Sequence, residues 1–196
     1  MSKGLLSTAA IFLTFIAFVP YVRSILRGHT RPHVFSWAIW GSTTFVVFLA
    51  QLQAGGGTGA WPIGVSAAIT LFMAMLAYQK KADSSITRAD WLFLALAMTS
   101  LPFWYVTADP FWTVLILTTV DLLGFGPTVR KAYHFPFDEQ MTFFSLFVLR
   151  NVLAALALES WSATTVLFPA ATGTACLLLV GIIGYRRRIL VALKVT

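Results

Sequence analysis

Charge is scarce in this sequence. Only 11% of its 196 residues are charged, against about 25% in an ordinary soluble domain. Hydrophobic residues make up 58%, and the mean hydropathy is +0.81. That balance excludes a water-soluble globular domain and predicts one integral membrane domain filling the chain. Acidic residues are the rarest charged class, seven against 14 Lys and Arg, for a net charge of +7. The excess does not call for nucleic acid, because Lys and Arg of membrane proteins gather on the cytoplasmic side. The one cysteine, Cys176, lies in an apolar run, so no intrachain disulfide can form. No His/Cys spacing suits a metal, and no nucleophile–base set suggests an enzyme, so neither cofactor nor catalytic residue is expected. Asparagine occurs once, as Asn151. No lysine falls in the last apolar segment, which argues against a retinal Schiff base there.

Long apolar runs are abundant. A helix crosses a bilayer with about 17–25 mostly apolar residues, and seven stretches qualify: 5–25, 34–53, 61–79, 91–107, 110–130, 141–159 and 163–185. The fourth is the shortest and contains Pro102. Lys3 and the run after it resemble the start of a signal peptide, but no small-residue cleavage site follows. With seven crossings the loops alternate sides. Arg23, Arg27, Arg31, Lys80, Lys81, Arg88, Arg130, Lys131, Arg186, Arg187, Arg188 and Lys194 then share one side, and Lys3 stands alone on the other. The expected orientation is N-terminus outside and C-terminus cytoplasmic, in a bacterial inner (plasma) membrane. The basic loops are accounted for by topology and attraction to anionic lipid. A homo-oligomer is compatible with this layout.

The chain also repeats itself. A constant offset of 107 positions carries Pro20 onto Pro127, Phe18 onto Phe125, Val22-Arg23 onto Val129-Arg130, Leu49-Ala50 onto Leu156-Ala157 and Trp61-Pro62 onto Phe168-Pro169. It also carries Tyr78 onto Tyr185 and Lys80-Lys81 onto Arg187-Arg188. The reading is two three-helix units, 1–81 and 110–196, the second ending in a short basic tail. A linker helix within 82–109 turns the second copy over, so the repeats are parallel. The expected fold is therefore an all-α membrane protein of seven transmembrane helices, arranged as two parallel three-helix bundles joined by a linker helix.

That three-plus-one-plus-three plan, with a proline near the cytoplasmic end of the first helix of each half, resembles the SWEET/PQ-loop transporter superfamily. The PQ dipeptide reads Pro20-Tyr21 in one half and Pro127-Thr128 in the other. Pro32 and Pro136 lie in loops where SWEETs carry a proline in the second helix. The stretches "GVSAAIT" and "AATGTAC" lack the asparagines typical of SWEETs. The resemblance implies alternating access of a small polar solute between the repeats.

Polar groups within the apolar segments mark candidate sites. Asp121 lies nine residues before Arg130, and Arg150 nine residues into the sixth segment from Met141. At 1.5 Å per residue each is about 13 Å deep, so an ion pair across the 5–6 hairpin is expected. Charges at that depth are costly, face the protein interior and mark function by default. Either the pair lines the solute pathway, with Asn151 beside it, or it locks two helices together. Under the repeat, Asp121, Arg150 and Asn151 correspond to Thr14, Thr43 and Thr44. Trp40, a turn deeper than Trp37, is a candidate to stack on solute, while Trp37 and the tryptophans near span ends read as interfacial anchors. Pro20 and Pro127 either act as hinges or end their helices. Gly124 and Gly126 favour hinges and permit close helix contact. The expectation is a transporter of a small polar solute, proton-coupled if Asp121 titrates. The alternative is a membrane sensor or receptor that binds without transporting.

Overall fold

A computed structural model describes residues 2–28, 34–80 and 88–195. Among them the chain is helical, with no strand. Seven α-helices follow in order: α1 Lys3–Leu26, α2 Val34–Gln53, α3 Trp61–Gln79, α4 Arg88–Thr107, α5 Pro110–His134, α6 Met141–Ala157 and α7 Ala163–Val195. Short 3-10 turns at Gly57–Ala60 and Pro136–Asp138 precede α3 and α6. The Ser2 hydroxyl caps α1 by accepting from the Leu5 N–H. Pro62 sits in the first turn of α3, where a missing N–H costs nothing. His29, Arg31, Pro32, His33 and Lys81 lie outside the described residues.

Five of these helices are long and apolar enough to cross a membrane: α1, α2, α3 with its lead-in turn, α5 and α7. The other two expected crossings are shorter. The apolar part of α4 is Leu94–Thr107, and α6 has 17 residues, about 25 Å of helix. Helix α6 stops before residue 159 because Leu158, Glu159 and Ser160 turn away to bind the loop after α2. The C-terminal stretch read as a tail is a continuation of α7, as far as Val195. Outward faces remain apolar, with Phe12, Leu177 and Leu178 all more than half exposed. That is the pattern of a lipid-facing surface, not a watery one.

Helix order in space differs from helix order in sequence. Helix α3 packs on both α1 and α2, and α7 packs on both α5 and α6. Helix α1 lies against α6, and α2 against α5; α4 rests on α5. Close approach relies on missing side chains. A Cβ on Gly41 would come within 2.7 Å of Leu71, and one on Gly64 within 2.9 Å of the Phe48 ring. The largest apolar cluster joins Val47 and Phe48 of α2, Ile63 of α3, Val114 and Leu117 of α5, and Phe168 of α7.

One end of the bundle is tied by backbone. The Glu159 N–H donates to the Gly56 carbonyl and the Ser160 N–H to the Gly55 carbonyl, both at 3.1 Å. The Thr58 N–H donates to Glu159 Oε1 at 3.1 Å, and the Ser7 hydroxyl to the Thr58 carbonyl at 2.7 Å. Lys3 Nζ donates to the Glu159 carbonyl. This clasp depends on glycine: Gly55 and Gly57 have φ of 78° and 57°, values that L side chains rarely adopt.

Candidate functional site

Thr14, Thr43, Asp121 and Arg150 each lie near the middle of their helices α1, α2, α5 and α6. All four are at most 9% exposed. Burial at mid-helix is the costly placement for a charge in hydrocarbon, so the partners matter.

The expected ion pair between Asp121 and Arg150 is not formed; each finds a threonine instead. Helix α7 is the reason, since α5 and α6 both pack on it and not on one another. The Thr43 hydroxyl donates to Asp121 Oδ1 at 3.2 Å, joining α2 to α5. Arg150 Nε donates to the Thr14 hydroxyl at 3.3 Å, joining α6 to α1. Arg150 Nη1 donates to Asn151 Oδ1 at 2.7 Å and Nη2 to the Pro62 carbonyl at 2.8 Å. Asn151 is held in turn: its amide donates to the Phe147 carbonyl, and Oδ1 also accepts from Thr172. Gly173 leaves room for it, a Cβ there standing 3.2 Å from Asn151 Cβ. All of the acceptors that Arg150 meets are neutral, and among the described residues no cation faces Asp121.

The two contacts correspond under the sequence offset. The offset of 107 positions turns Thr14 into Asp121 and Thr43 into Arg150. It therefore carries the α1–α6 contact, Thr14 with Arg150, onto the α5–α2 contact, Asp121 with Thr43. Thr44, the counterpart of Asn151, is buried beside Thr43.

Aromatic rings fill the layer next to these charges, towards the Leu26 end of α1. Phe18 meets Phe147 edge-on at 5.5 Å and Phe143 at 5.8 Å, and Phe143 stacks on Phe147 at 4.6 Å. The Arg150 guanidinium stands 5.4 Å from the Phe147 ring centre, within cation–π range. Trp40 is half-buried, edge-on to Trp37 at 5.9 Å. A Cβ on Gly124 would come within 2.8 Å of the Trp40 indole nitrogen. Trp37, read as an interfacial anchor, is half-buried against Phe18 and Tyr21, its face of α2 turned towards α1. Trp61, Trp91, Trp112 and Trp161 are exposed as anchors are, whereas Trp104 packs against the main apolar cluster.

Pro20 does not end its helix; α1 continues to Leu26. The backbone of α5 likewise continues past Pro127 to His134, while the Pro127 side chain lies outside the described residues. Gly124 permits a close contact, as expected. Gly126 does not, since a Cβ there would meet nothing within 4 Å.

Four participants escaped sequence reasoning. Phe147 was discoverable, as the repeat counterpart of Trp40. Thr118 lies one helical turn from Asp121, 2% exposed, its hydroxyl without a partner. The Gln51 amide donates to the Thr165 carbonyl at 2.8 Å while its Oε1 has no partner. The Pro62 carbonyl carries no sequence signal at all. Among the described residues, no three His, Cys, Asp or Glu converge as metal ligands. No family model, curated protein or solved structure matches the chain.

Proposed function

We propose that this protein is a membrane transporter for a small polar solute, working by alternating access between two parallel three-helix units, α1–α3 and α5–α7, with α4 as linker. The observation that carries the reading is the duplicated buried contact, Thr14 with Arg150 and Thr43 with Asp121. Both contacts join one unit to the other, so a rocking motion between units would make and break them together. Two-fold related halves with a polar layer at mid-depth are a known construction for solute carriers. The aromatic layer of Phe18, Phe143, Phe147, Trp37 and Trp40 closes that layer on one side, and the loop clasp closes the far end of the bundle. Pro20 breaks the hydrogen-bond ladder of α1 beside the aromatic layer, where a hinge would open it. The proposal carries with it the resemblance to the SWEET/PQ-loop superfamily, an N-terminus outside and a C-terminus in the cytoplasm of a bacterial inner membrane.

Asp121 is the group that would couple transport to protons. Its hydroxyl partner serves either protonation state, because a threonine both donates and accepts. The test is uptake by purified protein in liposomes, with and without an imposed pH gradient, using solutes selected by thermal-shift screening of sugars, amino acids, nucleosides and vitamins. Uptake of a stabilising solute supports the proposal. Binding without uptake assigns the protein to the sensors and receptors instead.

A further inference from the structure

The solute pathway proposed above, on which this inference rests, is charged in an unusual way. Opposite charges are buried at similar depth, and they do not neutralise each other. Arg150 belongs to the α1–α6 seam and Asp121 to the α2–α5 seam. The seams run along different helix pairs, α1 and α2 both packing on α3 and α5 and α6 both packing on α7. An isolated buried charge is strongly unfavourable, and a salt bridge would have been the simplest relief. The fold instead spends several neutral groups on Arg150: Thr14, Asn151 and the Pro62 carbonyl. Those contacts use Nε, Nη1 and Nη2 once each, leaving further guanidinium N–H groups on Nη1 and Nη2. On the other seam, the Asp121 carboxyl is met by Thr43, and the Thr118 hydroxyl, three residues back on the same face of α5, is buried with no partner. That orphaned hydroxyl is an independent sign of an unfilled polar position beside Asp121.

We propose that the site takes a zwitterion, a solute whose anionic group sits on Arg150 and whose cationic group sits between Asp121, Thr118 and Thr43. The arrangement selects against neutral solutes, which would leave both charges uncompensated, and against simple ions, which would satisfy one seam only. Because both seams are cross-unit contacts, a solute bridging them would hold the two units in one relative position until it leaves.

The experiment is a thermal-shift series on the purified full chain in detergent. The probes are glycine, β-alanine, 4-aminobutyrate, 5-aminopentanoate and 6-aminohexanoate, a ladder of charge separations. The matched carboxylates and matched alkylamines serve as single-charge controls, and glucose as a neutral one. The expected result is a shift peaking at one rung of the ladder and at least several-fold larger than with either single-charge control. Asp121→Asn should lower the apparent affinity for the amino acid at least tenfold while leaving the weak response to its matched carboxylate unchanged. Thr118→Val should weaken it several-fold. If no rung exceeds its single-charge controls in wild-type protein, the zwitterion is excluded, and that arm needs no variant to fold. Liposome uptake separates this proposal from the one beneath it. Glucose transported with no rung bound refutes the zwitterion and keeps the transporter. A rung bound but never transported keeps the zwitterion and refutes the transporter.

Discussion

Arg150 shows what a single buried cation demands. Three of its donors end on acceptors from three different helices, α1, α3 and α6. Arg150→Ala would remove a charge-assisted hydrogen bond from the Pro62 carbonyl and another from Asn151 Oδ1, which keeps Thr172, and each such bond contributes about 1.5–3 kcal/mol. The expected outcome is a clear fall in melting temperature in detergent. Arg150→Lys should fall between the two, since an ammonium restores the charge but not the planar fork. Equal melting temperatures for Ala and wild type would show that the guanidinium anchors nothing. Asp121→Asn should behave differently. An amide still accepts from Thr43, so stability should stay near wild type while uptake loses its response to a pH gradient; a retained response would remove Asp121 from proton coupling. The chemistry and the mid-helix position of both residues were readable in the sequence, because an ionisable group inside an apolar run stands out there. Their partners were not, because a threonine hydroxyl or the Pro62 carbonyl looks like any other until the helices are placed.

At the scale of the element, helix limits followed closely from hydropathy, and the order of helices in space did not. Sequence neighbours α5 and α6 were expected to pair. The insertion of α7 between them depends on shape, on Gly173 against Asn151 and on the apolar faces of α7, which periodicity alone does not rank. The α2–α5 seam offers a test of how much such shape matters. A Cβ at Gly124 would lie 2.8 Å from the Trp40 indole nitrogen, whose rigid ring cannot bend aside. Gly124→Ala should therefore push α2 from α5, costing about 1–3 kcal/mol as overpacking does, and should lower uptake. Gly181→Ala, mid-helix in α7 and not followed by a proline, is the control. Its Cβ would meet nothing within 4 Å, and losing a mid-helix glycine stabilises by about 0.5–1 kcal/mol. Melting curves of the two variants should move in opposite directions. The same direction for both would mean that helix propensity, and not the contact with Trp40, governs the seam.

For the whole molecule, the offset of 107 positions links features that no single motif connects. Found from prolines and basic pairs, it also predicts which buried contact is the image of which. What it did not foretell is the clasp, because backbone-to-backbone bonds between two loops leave no trace in residue type beyond their glycines. The clasp ties the loop after α2 to the loop after α6, that is, one proposed unit to the other. If the units rock, these loops must part at some point in the cycle. A Cβ built on Gly55 stands 3.4 Å from Ser160 Cβ, close to the 3.5–4.5 Å separation found in disulfides. Gly55→Cys with Ser160→Cys, in a Cys176→Ser background, should therefore cross-link under mild oxidation. Cysteine at a φ of 78° costs about 1–2 kcal/mol, an amount the reduced double variant will show as a modest loss of melting temperature. The oxidised protein should bind solute and fail to transport it, and a reductant should restore uptake to the level of the single Gly55→Cys variant. Full transport by protein shown on a gel to be cross-linked would mean that these loops never separate, and the two units would have to be abandoned as the moving parts.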